Sequence, residues 1–357
     1  MLERKHYLTA GTGLLLIAVL AWADSGFFGL LQAWDAYTVR IFNLCGINIG
    51  LALALNLVNG FTGQFSLGHA GFMAVGAYTA ALLIMPPAVK QLNFFMVPLV
   101  PALAGIKLPF AVGILAGGLM SAGFGFLIGA PVLSLRGDYL AIATLGFAEI
   151  IRVVIVNVKP LTNGALGLKG IPGYTDLWWS FGYAALTTWL LVRLVSSSYG
   201  RALKAVREDE VAAQAMGVNL FYHKMLAFVL GAFLAGVGGA LQASLITSID
   251  PNMYRFPLTF QILLIVVLGG MGSITGTVIA ATVVTVLMEF LRIVESPLTL
   301  GALTLPGIPG MRMVVFSLLL IVVILFYRNG IMGEREFSWE AAGARLRLLR
   351  WRREVSR

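Results

Sequence analysis

Along the chain, polar and charged residues fall in short clusters that separate long apolar stretches. Three of these, Leu108 to Leu135, Met225 to Ile249 and Phe256 to Met288, carry no charged residue at all. Each exceeds the roughly 20 residues that cross a hydrocarbon core of about 30 Å as a helix, and the last is long enough to cross twice. Lipid offers the backbone no hydrogen-bond partner, so such runs must be helical or sheltered by protein, and they lack the alternation of a membrane barrel. The pattern predicts helices over 8–23, 38–59, 66–85, 108–130, 138–157, 178–195, 224–248, 258–270, 274–292 and 311–327. This is an all-α, polytopic transmembrane helical bundle of about ten spans. Phe94 to Ala104, interrupted by Pro98 and Pro101, is too short to span and reads as a re-entrant or interfacial piece.

Composition agrees with the pattern. Of 357 residues, 59% are hydrophobic and only 11% charged, with a mean hydropathy of +0.90. A soluble domain carries about 25% charged residues, so water is not the main solvent of this fold. The net charge of +9 comes from residues at the ends and in one loop, which argues for membrane topology rather than nucleic-acid binding. Arg201, Lys204, Arg207 and Lys224 lie between 196 and 224, and arginines 328, 335, 345, 347, 350, 352, 353 and 357 follow the last apolar run. Both clusters belong on the cytoplasmic side by the positive-inside rule. With both termini inside, about six spans lead to residue 196 and about four more to residue 328. The same alternation puts Arg136 inside and Lys90, Lys107, Lys159 and Lys169 outside, an imperfect bias. Residues 1–330 thus form a transmembrane domain with a cytoplasmic loop at 196–224, and 331–357 a basic cytoplasmic tail, amphipathic on the membrane surface or disordered. Met1 to Ala23 has the layout of a signal peptide or of an uncleaved first helix, the latter being the one used in the alternation. Cys45 is the single cysteine, in an apolar run, so no intramolecular disulfide can form.

Many of the 41 glycines lie inside the spans. Gly113-xxx-Gly117, Gly125-xxx-Gly129 and Gly272-xxx-Gly276 predict close helix approach. Two glycine-rich stretches, Asn59 to Gly68 and Gly269 to Gly276, instead interrupt apolar helix in the two halves of the chain. Paired breaks of this kind mark an internal repeat and a substrate path in some transporters, and coincident packing turns in other folds.

Nothing in the residues points to catalysis. There is no phosphate-binding loop, no metal-ligand spacing, and only His6, His69 and His223 among histidines. Glu149 and Arg152, three residues apart in mid-span, form either a structural ion pair or part of a gate or path. Glu289 and Arg292 repeat the spacing near a helix end and read as structural. His69 reads as a packing histidine or a ligand contact. Gln64 and Ser66, at a helix start, suit either capping or a polar substrate group, and Gln242 is a further polar position on the candidate path. The Glu210–Met216 segment has helix-favouring alanines, acidic residues at its start and Gly217 as a stop, as expected of a surface helix that docks into a partner's groove.

Several of these stretches, in this order, resemble the permeases of branched-chain amino acid ABC importers of the LivM type. They are Gly63 to Ala70 with Gly76-Ala77-Tyr78, Arg136 to Leu145, Thr162 to Leu168, Gly200 to Gly217, and Leu268 to Ser273. The resemblance spans about residues 40–330. It implies a bacterial inner-membrane complex of two related permeases, two cytoplasmic ATPases that bind ATP and Mg, and an external substrate-binding protein, with no cofactor in this chain. It likens Ala212-Ala213 and Gly217 to the coupling loop of import permeases, with Arg201, Lys204, Arg207, Glu208 and Glu210 around it. Val211 stands where that loop carries its glutamate, so Glu210 is displaced by one. The expected function is passage of branched-chain amino acids driven by the partner ATPases. The alternatives are a urea or short-amide permease of the same family and an ion-coupled carrier or channel working alone.

Overall fold

The computed structural model describes residues 36–292 together with 298–300, 303–305, 310–311, 314, 317–318, 321, 330–333 and 336. The expected first span, the leader-like start, most of the last span and most of the basic tail lie outside those residues.

Helix α1 (Ala36–Asn56) runs into a single π-helical stretch, Leu57–Phe61, and after the irregular residues 62–68 the chain resumes as α2 (His69–Ile84). The apolar pattern alone predicted helix from 66. The start moves to His69 because the polar and glycine residues before it bond other elements instead of a helix ladder. Two short helices, α3 (Pro87–Asn93) and α4 (Pro101–Ala104), each begin with proline, whose missing N–H costs nothing there. They occupy the stretch expected not to span. Then follow α5 (Phe110–Val132), α6 (Asp138–Asn157), the single turn α7 (Lys159–Thr162) and α8 (Leu177–Ser196). The polar segment folds as α9 (Ser198–Glu208) and α10 (Glu210–Ala215). Then α11 (Leu220–Ile246), α12 (Phe256–Gly269) and α13 (Ile274–Phe290) complete the described helices. Helix α11 starts earlier than its apolar run because the Asn219 side chain accepts from the Tyr222 N–H and caps it. Four helices, α1 with its π turn, α5, α6 and α11, are long and apolar enough to cross a membrane.

Helix α11 sits at the centre, packed on α5, α2 and α1, while α1 also meets α8 and α13. Glycine sets the closeness of this core. A methyl group on Gly76 would lie 2.1 Å from the Gly236 carbonyl oxygen, and one on Gly117 2.6 Å from that of Gly76, so three helices approach backbone to backbone. The expected seams at Gly113/Gly117 and Gly125/Gly129 are present along α5, against Ile84, Gly76, Ala232 and Met225. Gly272-xxx-Gly276 is not a helix seam: Gly272 lies in a turn beside Arg207, and Gly276 packs on Gly269 of the preceding helix. Asparagines tie α1 to its neighbours, with Ser180 donating to Asn43 at 2.6 Å and Asn48 donating to Thr285 at 2.9 Å. Such interhelical bonds replace the hydrophobic drive that lipid removes.

The expected alternation of spans is visible in which loops share an end. Residues 60–65, Arg136 and the α9–α10 segment meet at one end, called here the basic end. At the other, Val100 N–H donates to Pro160, Lys169 N–H to Asn93, and β1 (Leu168–Lys169) pairs antiparallel with β2 (Ser248–Ile249). The antiparallel pair β3 (Leu298–Leu300) and β4 (Leu303–Leu305) follows α13. Lys90, one of the exceptions to the charge bias, is buried at that far end and donates to the carbonyls of Leu103 at 2.8 Å and Ile106 at 2.6 Å. Its ammonium is a structural tie rather than a topology signal, and burial lowers its pKa.

Candidate functional site at the two helix breaks and the basic end

The α9–α10 segment is built by local capping. Ser197 accepts from Gly200 N–H to start α9, and Asp209 accepts from Val211 at 2.8 Å and Ala212 at 3.0 Å to start α10. Helix α10 ends where Val218 N–H reaches the Ala213 carbonyl and Gly217 N–H that of Gln214, with Gly217 at φ +84. This paired closure needs a left-handed residue, which is why the stop is glycine. Ala213, Leu203 and Val206 are buried against the body, whereas Ala212, Val211 and Met216 face outward, the last two 68% and 85% exposed.

Charged groups hold this segment in place. Glu210 accepts from the nearly buried Lys224 at 2.5 Å and pairs with Arg136 at 3.3 Å, so its displacement from the family position does not leave it idle. Arg207 donates to the Gly60 carbonyl at 3.2 Å and to Glu208 at 2.6 Å. Lys204 lies 5.9 Å from the Phe61 ring centroid, a cation–π contact, and Arg201 bonds only Ser198, on the exposed side, among the hydrogen bonds seen. Of the expected coupling residues, then, Arg207 and Glu210 face inward to the bundle, Lys204 is exposed with its ammonium over Phe61, and Arg201, Glu208 and Ala212 face outward.

The first break, 62–68, is irregular chain, with Gly63 at φ +71, whose polar groups are met largely by other elements. Asn59 donates to the Ser66 carbonyl and accepts its N–H, Thr144 of α6 accepts Leu67 N–H at 2.9 Å, and Thr259 of α12 accepts Ala70 N–H at 3.0 Å. Irregular backbone buried in protein requires such cover. Gln64 donates to the Lys224 carbonyl at 3.1 Å. Its Oε1, the Nε2 of His69, the hydroxyl of Tyr78 and the Oε1 of Gln242 are buried without a partner among the described residues. Three of these belong to the expected path residues, and Tyr78 is an addition. Ser66, also expected there, is buried, and its hydroxyl lies 3.4 Å from Gly68 N–H.

The second break, Gly270–Ser273, turns sharply through Gly270 at φ +107 and Gly272 at φ +87. Asn56 holds it: it accepts from Gly272 N–H at 2.9 Å and donates to the Ser273 carbonyl at 2.9 Å and the Thr277 hydroxyl at 2.8 Å. A methyl group on Gly60 would lie 2.5 Å from Gly272 N, so the two breaks touch. Sequence reasoning paired these breaks but missed Asn56, one of four asparagines, with Asn43, Asn48 and Asn59, in an otherwise apolar run. It also missed Asp209, legible as the cap before Glu210.

Glu149 and Arg152 form an ion pair at 2.6 Å along α6, half-buried and away from the breaks' hydrogen-bond network. Glu289 accepts from Arg292 at 3.0 Å and from the Tyr37 hydroxyl, tying α13 to the start of α1. No group of three or more metal-ligating side chains occurs among the described residues.

Residues 37–324 match the family described as branched-chain amino acid transport system, permease component. The high-affinity branched-chain amino acid transport system permease protein LivM of Escherichia coli (strain K12) is 35% identical over 313 residues, 78% of this chain and 68% of that protein. LivM of Salmonella typhimurium is 35% identical over 289 residues, 71% of this chain and 64% of that protein. LivH of Escherichia coli (strain K12) is 25% identical over 325 residues, 83% of this chain and 96% of that protein. The chain thus spans about two thirds of the length of the two LivM proteins. No solved structure matches it.

Proposed function

The chain belongs to the branched-chain amino acid transport permease family, and on that premise we propose that it is the multi-pass, LivM-type pore subunit of an ATP-driven importer of branched-chain amino acids in the inner membrane. The basic end faces the cytoplasm, and Val211, Ala212 and Met216 on α10 seat in a groove of a partner ATPase. Two such ATPases bind ATP and Mg, a second related permease completes the pore, and an external binding protein delivers substrate. This chain itself moves substrate without a nucleotide site of its own.

The observation that carries this reading is the seat of the exposed α9–α10 segment on both helix breaks through Arg207 and Gly60. A push on α10 from outside reaches irregular backbone inside the bundle without crossing flexible chain. Gln64, Ser66, His69 and Gln242, with Tyr78, supply polar positions for a zwitterion, and apolar surroundings suit an aliphatic side chain. The orphaned atoms on Gln64, His69, Tyr78 and Gln242 are acceptors or donors that a passing substrate or water would satisfy. Glu149 and Arg152 neutralise one another on a helix only 28% buried in its apolar stretch, and face the second permease or a wet path rather than lipid.

The test is purification of the chain with its co-purifying partners and uptake of leucine, valine and urea into proteoliposomes. ATP-dependent leucine and valine uptake is expected. Uptake of urea alone assigns the amide substrate class, and uptake that survives ATP depletion but collapses with an ion gradient overturns the importer.

A further inference from the structure

The second break carries a contact that neither the glycine pattern nor the coupling segment announces. Glu336, 61 residues beyond Thr275, places its carboxylate on the N-terminus of α13: it accepts from Ile274 N–H at 2.6 Å, Thr275 N–H at 3.1 Å and the Thr275 hydroxyl at 2.8 Å. The chain just before it lies along the same turn. Ile331 N–H donates to the Leu268 carbonyl at 2.7 Å and Met332 N–H to that of Gly269 at 3.3 Å. Gly333 is so close that a methyl group on Gly270 would lie 2.4 Å from its carbonyl oxygen. On the other side of the turn stand Asn56 and the Arg207 guanidinium, 2.7 Å from where a methyl on Gly272 would be. Three separate parts of the chain, residues 331–336, Asn56 and Arg207, therefore close on residues 268–275.

We propose that Glu336 and Asn56 are positioning residues for energy coupling: together they lock the Gly269–Thr275 turn against the Arg207 side of the α9–α10 segment, so that movement of that segment carries α12 and α13 with it. The assignment rests on the importer reading above. Its physical basis is direct. A carboxylate on a helix N-terminus satisfies amides that have no intrahelical partner and meets the positive end of the helix dipole. Without it the first turn of α13 frays, and a push arriving at Gly272 is absorbed by the turn instead of being passed to two helices. Glu336 is exposed and meets the core only through the backbone of Ile274, so its loss uncaps α13 while the packed side chains of the bundle stay in place.

The experiment compares wild type, Glu336→Gln and Glu336→Ala in the complete complex in lipid nanodiscs and proteoliposomes. Hydrogen exchange reads the contact and substrate moved per ATP hydrolysed reads the coupling. In Glu336→Ala the Ile274 and Thr275 amides exchange faster while amides in the middle of α12 do not change. ATP hydrolysis stays within about twofold of wild type and substrate per ATP falls about fivefold, the size expected from losing a charged helix cap. Glu336→Gln, which keeps one acceptor oxygen and loses the charge, lies between. Unchanged exchange at Thr275 in Glu336→Ala overturns the contact. Faster exchange with unchanged transport per ATP overturns the coupling role, and so does a joint fall of hydrolysis and uptake with loss of the assembled complex. A wild-type complex without ATP-driven uptake fails the importer reading and the coupling role with it, while the exchange data still stand on their own.

Discussion

The two helix breaks solve the same problem in opposite ways. The first, residues 62–68, runs irregularly, and amides in it and in the α2 turn after it are met one by one by Asn59, Thr144 and Thr259. It leaves polar atoms of Gln64 and His69 unmatched in the interior. The second turns within Gly270–Ser273 and is held as a unit by the single side chain of Asn56 on one side and Glu336 on the other. The difference is that the first leaves polar atoms on offer while the second is pinned from both sides, which suits the proposed path and the proposed transmission of a bend. A buried unmatched donor or acceptor costs about 1–3 kcal/mol, a cost that a path accepts and a hinge does not.

Substitutions at the two sites separate these roles, and the largest effect belongs to the hinge. Asn56→Ala strips the Gly272 amide, the Ser273 carbonyl and the Thr277 hydroxyl of a partner at once, and a loss of about 3 kcal/mol or more is expected. Thermal unfolding in detergent should show a fall of many degrees; a fall of only a degree or two denies Asn56 its part in the turn. Next is Gly217→Val at the end of α10. Nothing lies within 4 Å of an added methyl group there, so the cost is conformational, about 1–2 kcal/mol for a side chain in the left-handed region, and local to α10. The bundle should unfold at its usual temperature while uptake is lost, and uptake at wild-type level would remove α10 from the coupling route.

Smaller effects probe the first break. Thr144→Val keeps the side-chain volume but leaves Leu67 N–H without its acceptor, for an expected cost of about 1–2 kcal/mol read in the same unfolding assay. A neutral result would mean that water replaces the hydroxyl and that the break is wetter than the packing shows. The smallest stability change is expected from His69→Leu, which removes an unmatched ring nitrogen from a buried site. Stability should stay level or rise while leucine uptake falls. A mutant that loses stability and keeps uptake reverses the contrast between the breaks.

Much of the fold was legible because lipid leaves few options. An apolar run of 20 or more residues must be helix, and charge bias with alternation then sorts the loops by side. Arg136 and the 196–224 segment, expected on one side, do meet through Arg136–Glu210, and residues 60–65, which had not been assigned a side, join them through Gly60–Arg207 and Gln64–Lys224. The docking helix was legible for a local reason, since Asp209, the alanines and Gly217 act within one turn of their own positions. The start of α2 was misplaced by three residues because the N–H of Ser66 is taken by Asn59 and that of Leu67 by Thr144, the latter far away in sequence.

What the amino-acid order by itself determined was therefore one-dimensional: which stretches are apolar helix, roughly where most of them stop, where the basic residues cluster, and the family whose motifs recur in order. Tertiary structure decided that the two glycine breaks touch, that Asn56 spans them, that Arg207 turns inward and that Glu336 returns to cap α13. Spans and caps are dictated by the solvent and by residues a few positions away. Contacts between broken helices depend on how the spans pack, which periodicity along a single chain does not record.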